Sequence, residues 1–111
     1  MEFEDVRNAA LQFRDDRDWA QFHNPKDLAI SISLEAAELL EAFQWSGSDT
    51  SATGKEGKVK EELADVLIYC IYLANVCSID IVDIIADKLA HNAEKYPADK
   101  ARGNSRKYTE L

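Results

Sequence analysis

Glycine and proline are scarce in this 111-residue chain, at four and two copies. Few turns are specified, so long uninterrupted elements are expected. Cysteine is nearly absent. Cys70 and Cys77 lie seven residues apart in one predicted helix. About 10.5 Å of helical rise separates them, too far for a disulfide, so free thiols in a reducing compartment are expected. His23 and His91 are the two histidines, distant in sequence, and no zinc spacing emerges. Positive charge is in deficit: 13 Lys and Arg stand against 21 Asp and Glu, a formal net charge of −8. That argues against nonspecific binding to nucleic acid, which needs a basic surface. It leaves a small phosphorylated substrate open, because a bound cation can carry the anion. No run approaches the ~18 apolar residues of a membrane span. The N-terminus, Met1-Glu-Phe-Glu-Asp5, is acidic and lacks the basic and apolar regions of a signal peptide. A cytoplasmic protein with no membrane partner is the expectation.

What is present is apolar and helix-forming. Hydrophobic residues make up 46% of the chain, with Leu, Ala, Ile, Glu and Lys plentiful. One domain over residues 1–111 is expected, all-α, with no strand and no repeat. Phe3, Val6, Ala9, Ala10 and Phe13 recur at helical spacing and predict a first helix over residues 2–16. The charged and aromatic stretch Arg14–His23 reads as the helix end and a loop. Asn24-Pro25-Lys26-Asp27 starts a second helix, with Asn24 as cap and Pro25 in the first position, running to Phe43–Trp45. Ser46-Gly47-Ser48 stops it, and a loop follows through Gly54. A third helix spans Lys55 to Val76. Its apolar stripe is Val59, Leu63, Val66, Leu67, Cys70, Leu73, Ala74 and Cys77. Ser78 or Asp80 caps a fourth helix whose buried face is Ile81, Ile84, Ile85 and Leu89. Pro97 ends it, and residues 96–111 form a basic tail. This much Ile, Leu and Val on short helices leaves apolar surface that a dimer, or a dimer of dimers, would bury.

Two acidic pairs stand out, Glu35-Ala-Ala-Glu38 and Glu62-Leu-Ala-Asp65. Spacing of i, i+3 puts both carboxylates of a pair on one helix face. On solvated faces such pairs are common and structural. Here Glu38 precedes Leu39-Leu40 and Asp65 precedes Val66-Leu67-Ile68. Two such faces turned together would crowd four carboxylates, which cannot all stay ionised without a counter-charge. An oxygen-seeking divalent cation supplies it, Mg²⁺ first and Mn²⁺ as a substitute.

Other residues carry two readings each. Trp19 and Phe22 are core anchors, or the wall of a pocket for a flat ring. Glu62, Asp65, Tyr69 and Tyr72 form a second stripe, with Tyr69 one turn beyond the acids. Lys88, Asn92 and Lys95, at i, i+4 and i+7, are a solvated strip or donors toward phosphate oxygens. The tail, with Arg102, Arg106 and Lys107, is disordered or folds over a phosphorylated ligand. His23 reads as a loop-packing residue.

The order Glu-x-x-Glu, 23 residues, Glu-x-x-Asp resembles the signature of the all-α nucleoside triphosphate pyrophosphohydrolases, the MazG-like superfamily. Further stretches are similar to its dCTP pyrophosphatase branch: Arg17–Pro25, Glu41–Trp45, Glu61–Tyr69, Lys95–Pro97 and Ser105–Leu111. The resemblance spans nearly the whole chain. It implies a four-helix bundle completed by oligomerisation, as dimer or tetramer. It also implies Mg²⁺-dependent hydrolysis of (deoxy)nucleoside triphosphates, dCTP or a modified dCTP foremost, to monophosphate and pyrophosphate. Such an activity cleans the nucleotide pool. Glu35, Glu38, Glu62 and Asp65 hold the metal-ligand and catalytic positions, with Glu38 preferred for orienting water or accepting its proton. Trp19 and Trp45 are candidates for base or sugar, joined by Tyr69, Phe13 and Phe22. Lys88, Asn92, Lys95 and Arg102 are candidates for the triphosphate. Some dCTP-preferring relatives carry a histidine where this chain has Ala10, which leaves the base open. The competing reading is a nucleotide-binding regulatory module with little hydrolysis. A di-iron bundle is disfavoured because no histidine lies i+3 from these acids, and a purely structural helical dimer would gain no stability from metal.

Overall fold

Helix starts follow the caps that the sequence supplies. Glu2 and Asp5 form a reciprocal capping box at the head of α1, Phe3–Asp16. Asn24 Oδ1 accepts from the Asp27 backbone N–H at 2.9 Å and Pro25 opens α2, Pro25–Glu41. Helix α3, Glu56–Val76, has no side-chain cap. Asp80 rather than Ser78 caps α4, Ile81–Lys95, its Oδ1 taking the Asp83 N–H at 2.9 Å. Ser78 instead makes the turn, at φ 56°. A one-turn α5, Ala98–Ala101, and 3₁₀ turns at Ala20–Phe22 and Tyr108–Glu110 complete the chain. The computed structural model describes residues 1–111, all-helical and without strands.

Helix α2 stops short of the expected Phe43–Trp45. After Glu41 the chain tightens into i→i+3 bonds, Phe43 N–H to Leu40 C=O at 2.9 Å and Gln44 N–H to Glu41 C=O at 3.1 Å. The last turn of α2 has Glu38 and Glu41 and no basic residue, so its charges oppose the helix dipole. Trp45 then takes φ 66°.

The chain divides into two units, Met1–Ser78 and Ile79–Leu111. In the first, α2 packs along α3 and α1 makes a shorter contact with α3. Its core is Leu28, Ile71, Tyr72 and Ala74. Two polar side chains tie α1 to α3. The buried Arg14 donates from Nη1 to Asn75 Oδ1 at 2.7 Å and from Nε to Asp15 Oδ1 at 2.8 Å. The Tyr72 hydroxyl donates to the Ala10 carbonyl at 2.9 Å. The expected apolar stripe of α3 is therefore corrected. Of its members only Ala74 is buried, while Leu63 and Leu67 are exposed. Tyr72 and Glu62, from the neighbouring stripe, are buried instead: Tyr72 bonds to Ala10 of α1, and Glu62 has Lys58 of its own helix as ion partner.

The second unit holds α4, α5 and the final turn. Tyr96 and Tyr108 meet edge to face at 6.0 Å, and Lys95 Nζ stands 4.6 Å from the Tyr108 ring centre. The tail is thus folded back on the end of α4. The expected buried face of α4 is also corrected: Ile84, Ile85 and Leu89 are exposed in the single chain. No single helix is long and apolar enough to cross a membrane.

Candidate metal centre and adjoining cleft

The packing of α2 against α3 brings the two acidic pairs together. Glu35, Glu62 and Asp65 each offer a carboxylate oxygen, and these three lie within 4.8 Å of one another. Glu38, one turn after Glu35 and exposed, is crowded by the carboxylates of Glu62 and Glu35. These two neighbours, Glu62 first, push the Glu38 carboxyl up to about 7. Glu62 is only 4% exposed. Lys58 Nζ donates to its Oε1 at 2.9 Å, and that cation holds Glu62 below the ordinary carboxylate range. Glu62 Oε2 and Glu35 Oε2 are buried with no hydrogen-bond partner. Buried polar atoms are rarely left so. Oxygen donors at this spacing, two of them orphaned, fit a hard divalent cation such as Mg²⁺ or Mn²⁺.

Asp65 also borders a cleft of about 410 Å³ between α1 and α3. Ala10, Phe13, Trp19, Tyr69 and Tyr72 are among its walls. Trp19 stands edge-on to Phe13 at 5.8 Å, and Tyr69 edge-on to Tyr72 at 6.1 Å. The Arg17 guanidinium covers the Phe13 ring at 3.6 Å. These walls are largely aromatic, and Asp65 is the one member of the acidic cluster that reaches the cleft. His23 packs on Tyr72 at 5.0 Å, and burial first, then Arg14, lowers its pKa.

The expected site residues are thus only partly assembled in this unit. The four acids, Trp19 and Tyr69 come together. Trp45 does not line the cleft; it is 92% exposed on the turn after α2. Phe22 also lies outside the cleft and exposed. Lys88, Asn92, Lys95 and Arg102 belong to the second unit, where Asn92 and Lys95 are half-buried and Lys88 and Arg102 exposed. Lys58 escaped the sequence reading, although its i, i+4 spacing to Glu62 signals an ion pair. Arg14 escaped it as well, and nothing local marks an arginine for burial.

Residues 30–111 match the MazG-like family, and the chain belongs to that family. Its relatives include dCTP pyrophosphatase 1 of Homo sapiens, 41% identical over 97% of this chain and 66% of the human protein. The Mus musculus protein of the same name is 39% identical over the same shares. The chain therefore spans slightly under two thirds of the length of these relatives. A crystal structure of a pyrophosphatase from Archaeoglobus fulgidus superposes with a TM-score of 0.80 at 43% identity, covering 85% of this chain and 91% of that one. The helical fold is thus that of a MazG-like protein.

Proposed function

We propose that this chain is a nucleoside triphosphate pyrophosphatase. It hydrolyses a deoxynucleoside triphosphate, dCTP or a modified dCTP foremost, to the monophosphate and pyrophosphate. The observation that carries this reading is the carboxylate cluster with two orphaned buried oxygens, joined through Asp65 to an aromatic cleft. The names of the relatives support the same reading. Glu35, Glu38, Glu62 and Asp65 would hold Mg²⁺, which when bound offsets the charge of acids and triphosphate and polarises the reacting phosphorus.

The chain's own residues supply the rest. Trp19 and Tyr69 hold the base or sugar, since an aromatic face stacks on a planar ring at little entropic cost. Glu38, the exposed acid, accepts the proton of the attacking water as the bond from the α-phosphorus to the bridging oxygen breaks. Lys88, Asn92, Lys95 and Arg102 are assigned to the triphosphate on donor chemistry and on the resemblance. Trp45 is assigned to base or sugar on the resemblance alone. We place the activity in the cytoplasm as nucleotide-pool cleaning, with the whole chain as one domain and no nucleic-acid or membrane partner. A second copy of the chain covers the exposed apolar residues of α4, giving a dimer or tetramer.

The test is a substrate panel. Protein with Mg²⁺ is mixed with each common and modified nucleoside triphosphate, and monophosphate and pyrophosphate are quantified. Turnover of a cytosine nucleotide, falling about 10²–10⁴-fold in Glu38→Gln, is expected. Preference for another base keeps the chemistry and removes the cytosine assignment, with Ala10 the first position to vary. Nucleotide bound without pyrophosphate release overturns the enzyme and favours a regulatory binding module.

A further inference from the structure

Lys58 has no part in the reaction as proposed, yet it is bonded to the carboxylate cluster. It lies one turn before Glu62 on α3, and the intervening helix fixes their register. Glu62 is 4% exposed, so each of its oxygens needs a partner. Oε1 has one in Lys58 Nζ at 2.9 Å, and Oε2 has none. The lysine side chain itself is 45% exposed. Its charge is partly screened by water, while the bond it makes is shielded from water at the Glu62 end.

We infer that Lys58 is a positioning residue for the divalent-cation site: it occupies Oε1 of Glu62 and reserves Oε2 for the ion. A glutamate stem has three rotatable bonds, and a bond at one oxygen fixes which way the carboxylate faces. Tied at Oε1, Glu62 offers one preset oxygen beside that of Glu35. This is the part that outer partners of metal-binding carboxylates play elsewhere. The cost is a cation close to a cation. Four acids face one lysine, so the cluster stays net negative and the ion's attraction prevails.

This inference rests on the metal-binding reading above, and the experiment separates the two. Mn²⁺ alone is titrated into the full chain, and free Mn²⁺ is followed by electron paramagnetic resonance, with no nucleotide and no turnover involved. Lys58→Met is expected to weaken Mn²⁺ binding about tenfold. Lys58→Arg, which keeps a charged donor at the same position, is expected to recover most of it. Circular dichroism checks that each variant is helical, and Lys58→Gln replaces Lys58→Met if the latter does not fold. A helical Lys58→Met that binds Mn²⁺ as tightly as the parent, or more tightly, overturns the positioning role and leaves the metal site standing. A parent chain that binds no Mn²⁺ overturns both.

Discussion

At the residue scale, Glu38 is the group whose protonation the fold changes most plainly. Its carboxyl is pushed up to about 7 from 4.5 by Glu62 and Glu35. A group with a raised folded pKa contributes stability below its unfolded value, and that contribution is lost as the pH rises through the folded value. The window for Glu38 is thus pH 4.5 to 7. Glu62, held low by Lys58, acts in the opposite sense, and its loss falls below 4.5. His23, also lowered, favours the fold as the pH rises toward 6.5. Subtracting a variant cancels the His23 contribution, and Glu62 titrates below the pH range compared. In chelator, the melting temperature of the parent minus that of Glu38→Gln is expected to fall between pH 5 and pH 8. Millimolar Mg²⁺ should raise the parent most at pH 8, where the acids are ionised. A difference that stays flat with pH removes the crowding account.

At the element scale, α1 is tied to α3 by two polar side-chain contacts beside the aromatic cleft. Tyr72→Phe deletes the hydroxyl bond to the Ala10 carbonyl and leaves the ring in place. A loss of about 1 kcal/mol is expected, seen as a melting temperature lower by roughly 3–6 °C. Element positions were legible in the sequence because caps and periodicity are local. Asn24, Pro25 and Asp80 act where they stand. The acidic pairs were legible for the same reason, since i, i+3 spacing fixes their face without reference to anything distant. Which side of α3 goes inside was not legible. Leu63 and Leu67 are apolar but exposed, while Tyr72 and Glu62 are buried, because burial depends on what α1 and α2 present. Arg14 illustrates the same limit. Its partner Asn75 is 61 positions away, and no local pattern links them.

At the scale of the whole molecule, the exposed apolar residues require an explanation. Val82, Ile84, Ile85 and Leu89 of α4 are each about half exposed or more. Patches of this kind mark contact surfaces. Leu89→Asp is expected to weaken self-association about tenfold or more, read by sedimentation velocity, with helix content unchanged. A parent chain that sediments as a monomer at every concentration would dispose of the oligomer. The composition hinted at this surface, since it holds more aliphatic residues than four short helices can hide. It did not say which helix would be left uncovered.

The two tryptophans differ in surroundings, and this gives the protein an optical property. Trp45 stands 92% exposed on a left-handed turn, whereas Trp19 forms a wall of the cleft. Trp19 is 44% exposed, so an aqueous quencher such as iodide reaches the first indole more readily than the second. As Trp45 is dimmed, the share of emission from the cleft rises, and a ligand that covers Trp19 is expected to protect that share from the quencher. The chain therefore contains a built-in lamp at its proposed binding site.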